Sequence, residues 1–115
     1  IFIFYIFSIL GSSSGITVAG TTRTWGGARS LLYYPTAIFV TTNGTMFILD
    51  TWNHRVLRWI AGEPMGTIVA GGQGNGGAFN QIGTSYQLFV DNQFEVYVSE
   101  SSNHRITRWS PTNTT

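Results

Sequence analysis

The sequence predicts an all-β protein, and three observations carry that prediction. A block of about fifty residues occurs twice along the chain. Within each copy, short β-branched and aromatic runs alternate with Gly, Asn and Ser clusters, and no helical period is present. Charged residues make up only 10% of the chain, beside 14 Gly and 15% aromatics. That is too little charge to build the solvated faces of amphipathic helices.

The repeat is plainest when residues 46–59 are set above residues 96–109. Asn53, His54, Arg55, Arg58 and Trp59 fall on Asn103, His104, Arg105, Arg108 and Trp109, an offset of 50 throughout. Phe47 falls on Tyr97, Asp50 on Glu100 and Val56 on Ile106. Upstream, Ile38-Phe39-Val40 falls on Leu88-Phe89-Val90, and Gly26-Gly27-Ala28 on Gly76-Gly77-Ala78. Thr17-Val18-Ala19-Gly20 matches Ile68-Val69-Ala70-Gly71 at an offset of 51, so one residue is gained or lost in the loop between. Self-similarity at this period marks a repeat architecture.

Each copy reads as four short strands. Residues 15–19 are β-branched and followed by Gly, and residues 37–41 form a second run. Thr42-Asn43-Gly44 reads as a hairpin turn, because Asn-Gly supplies the two positive-φ residues of a type I′ turn. Residues 45–50 return, residues 51–54 turn again with Asn53 in the left-handed conformation, and residues 55–60 close the unit. The second unit repeats the order over residues 67–110. Residues 37–40 and 46–49 lack clean apolar alternation, as strands do when both faces of their sheet are covered. Four such strands per unit, stacked face to face, are the pattern of β-propeller blades. The organisation is therefore an apolar segment at 1–14, a first blade at 15–65 and a second at 66–115.

Residues 1–10 are almost wholly apolar and small residues follow. Ten residues fall short of the roughly 20 that span a bilayer. The length suits the apolar core of a signal peptide, yet a basic flank is missing. Three readings stay open: a signal or membrane remnant, a strand, or residues foreign to the native protein.

These blocks resemble the NHL repeat family, named for an Asn-His-Leu signature. Here the signature stands as Asn53-His54-Arg55 and Asn103-His104-Arg105, with Arg in the third position. Asp50 and Glu100 match the acidic residue before the turn, and Val18-Ala19-Gly20 and Val69-Ala70-Gly71 match the Val-Ala-Gly strand. The resemblance covers residues 15–110 and implies a six-bladed propeller. No Asn-His-Arg precedes residue 15 at the same offset. Two blades cannot close a ring and would leave wide apolar faces bare. The expectation is a fragment of a longer protein, with self-assembly to complete a propeller as the alternative.

Recurrence sorts the candidate site residues. Asp50, Asn53, His54, Arg55, Arg58 and Trp59 recur as Glu100, Asn103, His104, Arg105, Arg108 and Trp109. A residue present in every unit is read as structural, since an active site is normally a single constellation. Asp50 is expected to accept from Arg55 or from turn amides, and Glu100 from Arg105. Arg58–Trp59 and Arg108–Trp109 are expected to pack between blades. The loops differ between units, and variable loops on a regular scaffold carry specificity. Arg23, Trp25, Arg29, Gln73 and Asn75 are the candidate ligand contacts there. Gly72, Gly74 and Gly77 match a dinucleotide-binding spacing, but the helix that motif needs is not predicted after them.

Cysteine is absent, which excludes disulfides, Cys-ligated zinc and thiol catalysis. No catalytic triad, carboxylate pair or metal-ligand cluster stands out, so no cofactor or metal is expected. The net charge is +1 and all six basic residues are Arg, which makes no case for nucleic acid. Asn43 and Asn113 begin glycosylation sequons. They lean toward a secreted or membrane-associated protein, although no segment is long enough to span.

The resemblance implies a non-catalytic binding module for a protein partner. NHL propellers often serve as substrate-recognition parts of larger proteins, including ubiquitin ligases whose RING domains bind zinc. With no Cys, this chain holds no such domain. Two alternatives follow from related six-bladed propellers: lyases or lactone hydrolases with a metal in the central channel, and RNA binders.

Overall fold

The computed structural model describes residues 14–110. The readings made on residues 1–13 and on Asn113 lie outside the described residues. Seven strands form two antiparallel sheets. The first holds β1 (Pro35–Val40), β2 (Met46–Asp50), β3 (Arg55–Trp59) and β4 (Thr67–Gly71), in that order. The second holds β5 (Ser85–Val90), β6 (Val96–Glu100) and β7 (Arg105–Trp109). Single 3₁₀ turns at Thr51–Asn53 and Ser101–Asn103 join β2 to β3 and β6 to β7. No helix among the described residues is long and apolar enough to cross a membrane.

The repeat survives in the hydrogen-bond register. Met46 pairs with Trp59 and Asp50 with Arg55, as Val96 pairs with Trp109 and Glu100 with Arg105. The irregularity between Pro35 and Ala37 recurs between Ser85 and Gln87. Thr36 stands at the first of these. Its hydroxyl meets that of Thr51 at 2.6 Å, and Thr51 Oγ1 donates to the Ser85 carbonyl of the second sheet at 3.1 Å.

The sheets pack through opposite faces of equivalent strands. Phe47 and Leu49 of β2, with Val56, Val69 and Ala70, meet Val96 and Val98 of β6, Val90 and Ile82 in one core. Val96 and Val98 are the repeat partners of Met46 and Ile48, which lie in a second cluster with Leu57 and Trp59. Every residue of β2 is buried, as the unbroken apolar run predicted. β1 departs from that prediction. Ala37 and Phe39 pack toward the second sheet, whereas Ile38 and Val40 are 64% and 51% exposed. β1 is an edge strand, and its far face meets little among the described residues.

Three further expectations are corrected. Residues 15–19 form no strand. Their counterpart β4 is a strand because it pairs with β3 of the preceding sheet. Residues 16–19 have no such neighbour among the described residues. The first sheet therefore takes its fourth strand from beyond residue 65, so the sheet boundary and the repeat boundary differ.

The left-handed residue of the β2–β3 turn is His54 (φ 51°), not Asn53, and His104 repeats it at 55°. Histidine is enriched in that conformation, which frees the Asn side chains for other bonds.

The Asn43-Gly44 hairpin is not type I′, because Asn43 has no positive φ and Gly44 (φ 85°) has one. Gly44 N–H donates to the Thr41 carbonyl at 2.9 Å. This is a type I turn followed by a left-handed residue, the common longer hairpin. In the second unit Phe94 (φ 63°) occupies the Gly44 position, and Asp91 Oδ1 accepts from the amides of Gln93 and Glu95 at 2.9 Å each.

Candidate functional site

The site is built outward from a buried ion pair. Arg55 Nε donates to Asp50 Oδ2 at 2.8 Å, with the Asp50 side chain fully buried. The rest of the guanidinium reaches into the loop before β1. Nη1 donates to the Gly27 carbonyl at 2.8 Å, and Nη2 to the Ala28 and Leu31 carbonyls at 2.9 and 3.0 Å. Asn53 Nδ2 donates to the Gly26 carbonyl and to Asp50 Oδ2, each at 2.8 Å. A planar fork with five donors suits this task, which a lysine could not perform.

The second unit repeats the clamp with its carboxylate bonds shared differently: Glu100 Oε1 accepts from Arg105 Nε, and Oε2 from Asn103 and Arg105 Nη2. Arg105 donates to Glu100, Gly77, Ala78 and Gln81. Asn103 donates to Gly76 and Glu100. The glycine-rich loop at 72–77 is thus tied to a turn, and no helix follows it. His54 and His104 carry the left-handed conformation that ends each 3₁₀ turn. Trp59 Nε1 donates to the Glu63 carbonyl and Trp109 Nε1 to Thr107 Oγ1, both at 2.9 Å, while Arg108 lies 3.7 Å from Glu95.

Glu100 titrates differently from an exposed carboxylate. Burial pushes its pKa up. Hydrogen bonds from Asn103, the Gly83 amide, Arg105 and Thr107 outweigh that and hold it below the ordinary 4.5. The folded carboxyl therefore holds its proton less tightly than the unfolded one. The stability it contributes is complete above 4.5 and is lost as the pH falls through the lower folded value. Urea unfolding from pH 7 to pH 3 should show this loss, and Glu100→Gln should flatten it. Parallel curves for wild type and variant would contradict the assignment.

Against this repeated scaffold, one set of side chains does not repeat. The Tyr33 amide donates to Asp50 Oδ1 at 2.7 Å, as the Gly83 amide does to Glu100 Oε2 at 3.1 Å, and the Trp52 amide donates to the Tyr33 carbonyl at 3.1 Å. These bonds hold the Tyr33 ring between two indoles. Trp25 stacks on Tyr33 with centroids 4.4 Å apart, and Trp52 meets Tyr33 edge-on at 5.0 Å. Tyr34 stacks on Trp52 at 4.8 Å and 18°. Tyr34 adopts φ 52°, a conformation that costs a bulky residue about 1–3 kcal/mol and persists only where its surroundings impose it. The rings are half open to solvent, with Trp25 67%, Tyr34 56% and Trp52 50% exposed.

At the equivalent positions the second unit has Asn75, Gly83, Thr84 and Ser102. Gly83 sits so close to Ser102 and Asn103 that a Cβ there would collide with them. The clamp forms in the second unit without an aromatic set, so the repeat does not require these rings. Tyr33 and Tyr34 precede β1, and Trp52 follows β2.

Beside the rings runs a groove of about 360 Å³, lined by Trp25, Tyr34, Leu32, Ala19 and a run of threonines at 21, 22 and 24. Arg23 also lines it, in the left-handed conformation (φ 62°) of a tight turn closed by Thr24 N–H and the Thr21 carbonyl at 3.0 Å. No acidic residue lines the groove.

Of the loop residues singled out by sequence, the structure brings Arg23 and Trp25 to this groove and leaves Arg29, Gln73 and Asn75 outside its lining. Asn43 is exposed, and its Oδ1 accepts from the Thr45 amide at 3.2 Å. Tyr33, Tyr34 and Trp52 escaped the sequence reading. Their signal was present: each aligns with a small or polar residue at the 50-residue offset. Among the described residues, no three His, Asp or Glu gather as metal ligands.

Fold and site together define an all-β protein of two packed antiparallel sheets, with an accessible aromatic surface on one of them. The chain matches no protein-family model and no curated protein.

Proposed function

We propose that the chain forms two consecutive blades of an NHL-type six-bladed propeller and acts as a non-catalytic module for recognising a protein partner. The observation that carries the recognition reading is the aromatic set Trp25, Tyr33, Tyr34 and Trp52. It breaks a repeat whose Arg–carboxylate, Arg–loop and Asn–loop bonds recur in the second unit. Tyr and Trp are enriched among the residues that dominate binding energy at protein interfaces. Here they are pinned against one another, so little side-chain entropy remains to be lost on binding.

Two observations support the blade reading. The sheets meet through opposite faces of equivalent strands, a heterologous contact that generates rings when its rotation closes. The outer strand of the first sheet also comes from the following repeat. Tight pairing of each Arg with its carboxylate and loop carbonyls gives the rigid frame such a module needs.

Selection of random displayed peptides on the full chain tests the reading. Peptides should be enriched that lose about ten-fold or more in affinity on Trp25→Ala or Trp52→Ala, as expected for aromatic anchors. Unfolding curves confirm that the variants are folded. Selections that never depend on either ring would refute the module.

A further inference from the structure

We infer that the groove between Trp25 and Tyr34 takes a polyproline-type segment of its partner with an acidic residue beside the prolines. This inference rests on the recognition reading above and names the chemistry of the partner. Three properties of the groove lead to it.

The first is rigidity. Trp25 is braced by Tyr33 and Tyr34 by Trp52, so both aromatic walls stand before any ligand arrives. A polyproline II helix is likewise formed in advance, and aromatic-lined grooves are its usual receptor.

The second is the balance of donors and acceptors. The lining holds no Asp, Glu, Asn or Gln side chain. Proline has no backbone N–H, and a polyproline backbone offers carbonyl acceptors only. Tyr34 Oη and Trp25 Nε1 form no hydrogen bond with the described residues and remain as donors on the walls. The Thr21 and Thr24 hydroxyls donate to the Ser30 and Thr22 carbonyls, and those of Thr17 and Thr22 bond each other, so the walls rather than the threonines supply the donors.

The third is charge. Arg23 is the one charged residue of the lining, and its guanidinium makes no ion pair or hydrogen bond among the described residues. It suits a carboxylate on the ligand. A nucleic-acid strand would meet a single cation here, too few for a backbone of phosphates.

The probe is a fluorescein-labelled octaproline ending in two aspartates, titrated into the full chain and read by anisotropy. Comparators are octaproline ending in two arginines, a Gly-Ser peptide ending in two aspartates, and oligouridylate. Saturable binding of the proline–aspartate probe is expected, weakened about ten-fold by Trp25→Ala as for an aromatic anchor. Arg23→Glu should reverse the preference between the aspartate and arginine ends while leaving the fold intact. Equal affinity for the Gly-Ser peptide, preference for oligouridylate, or indifference to both substitutions would each overturn the inference. If octaproline fails while display-selected peptides still depend on Trp25, the polyproline assignment falls and the recognition reading stands. If both fail, both fall.

Discussion

Arg55→Ala should lower the unfolding free energy by about 3–5 kcal/mol, the cost of removing one partner from a buried ion pair. Asp50 would be left fully buried with a charge and without its cation. The carbonyls of Gly27 and Leu31 would lose the donor that Arg55 supplies, and that of Ala28 would keep only the Leu31 amide. Lysine should rescue little, because a single ammonium cannot reach a carboxylate and three loop carbonyls in one plane. Arg105→Ala removes the equivalent bonds from the second unit and one more from Nη2 to Glu100, but the Arg105 side chain is 23% exposed. Water can then replace part of what is lost, and the expected cost is smaller. Urea unfolding of the three variants measures the order. A loss below about 1 kcal/mol for Arg55→Ala would mean that the pair behaves like a surface salt bridge. The same substitution should weaken ligand binding at the groove, since the clamped loop sets the path of the chain between Trp25 and Tyr33.

Gly71→Ala should be nearly as damaging, at about 3 kcal/mol. Gly71 has φ 66°, where a side chain costs roughly 1–2 kcal/mol. A Cβ there would also press on the His54 carbonyl oxygen and stand 2.9 Å from Ile82 Cδ1. Overpacking of that kind adds about 1–3 kcal/mol. The His54 carbonyl accepts the Gly72 amide at 2.9 Å, so the strain falls where β4 joins the first sheet. Gly44→Ala is the control. Its φ is 85° and nothing lies within 4 Å of the added carbon, so it should show the conformational cost alone. Equal losses for the two variants would mean that the crowding at Gly71 relaxes freely.

Much of the scaffold was legible in the chain because its information is local and written twice. The offset of 50 aligned Asp50 with Glu100 and Arg55 with Arg105, and the bonds between them follow directly from those pairs. Strands at 45–50 and 55–60 were placed to within a residue of β2 and β3. Turn chemistry was read less well. Asn53 and His54 are both tolerant of positive φ, and only the bonds from Asn53 to Gly26 and Asp50 decide which of them takes it.

By itself, then, the sequence determined the β class, the repeat, and the acid–Arg pair that closes each unit. The tertiary structure decided which segments are strands at all. Residues 16–19 and β4 share the Val-Ala-Gly pattern, but among the described residues only β4 has an edge to pair with. It also decided the site. Trp25, Tyr33, Tyr34 and Trp52 come from separate stretches of chain and meet only because Asp50 and Arg55 draw the loop onto the turn. Contacts of that range are set by how distant elements are held together, which neither period nor propensity encodes.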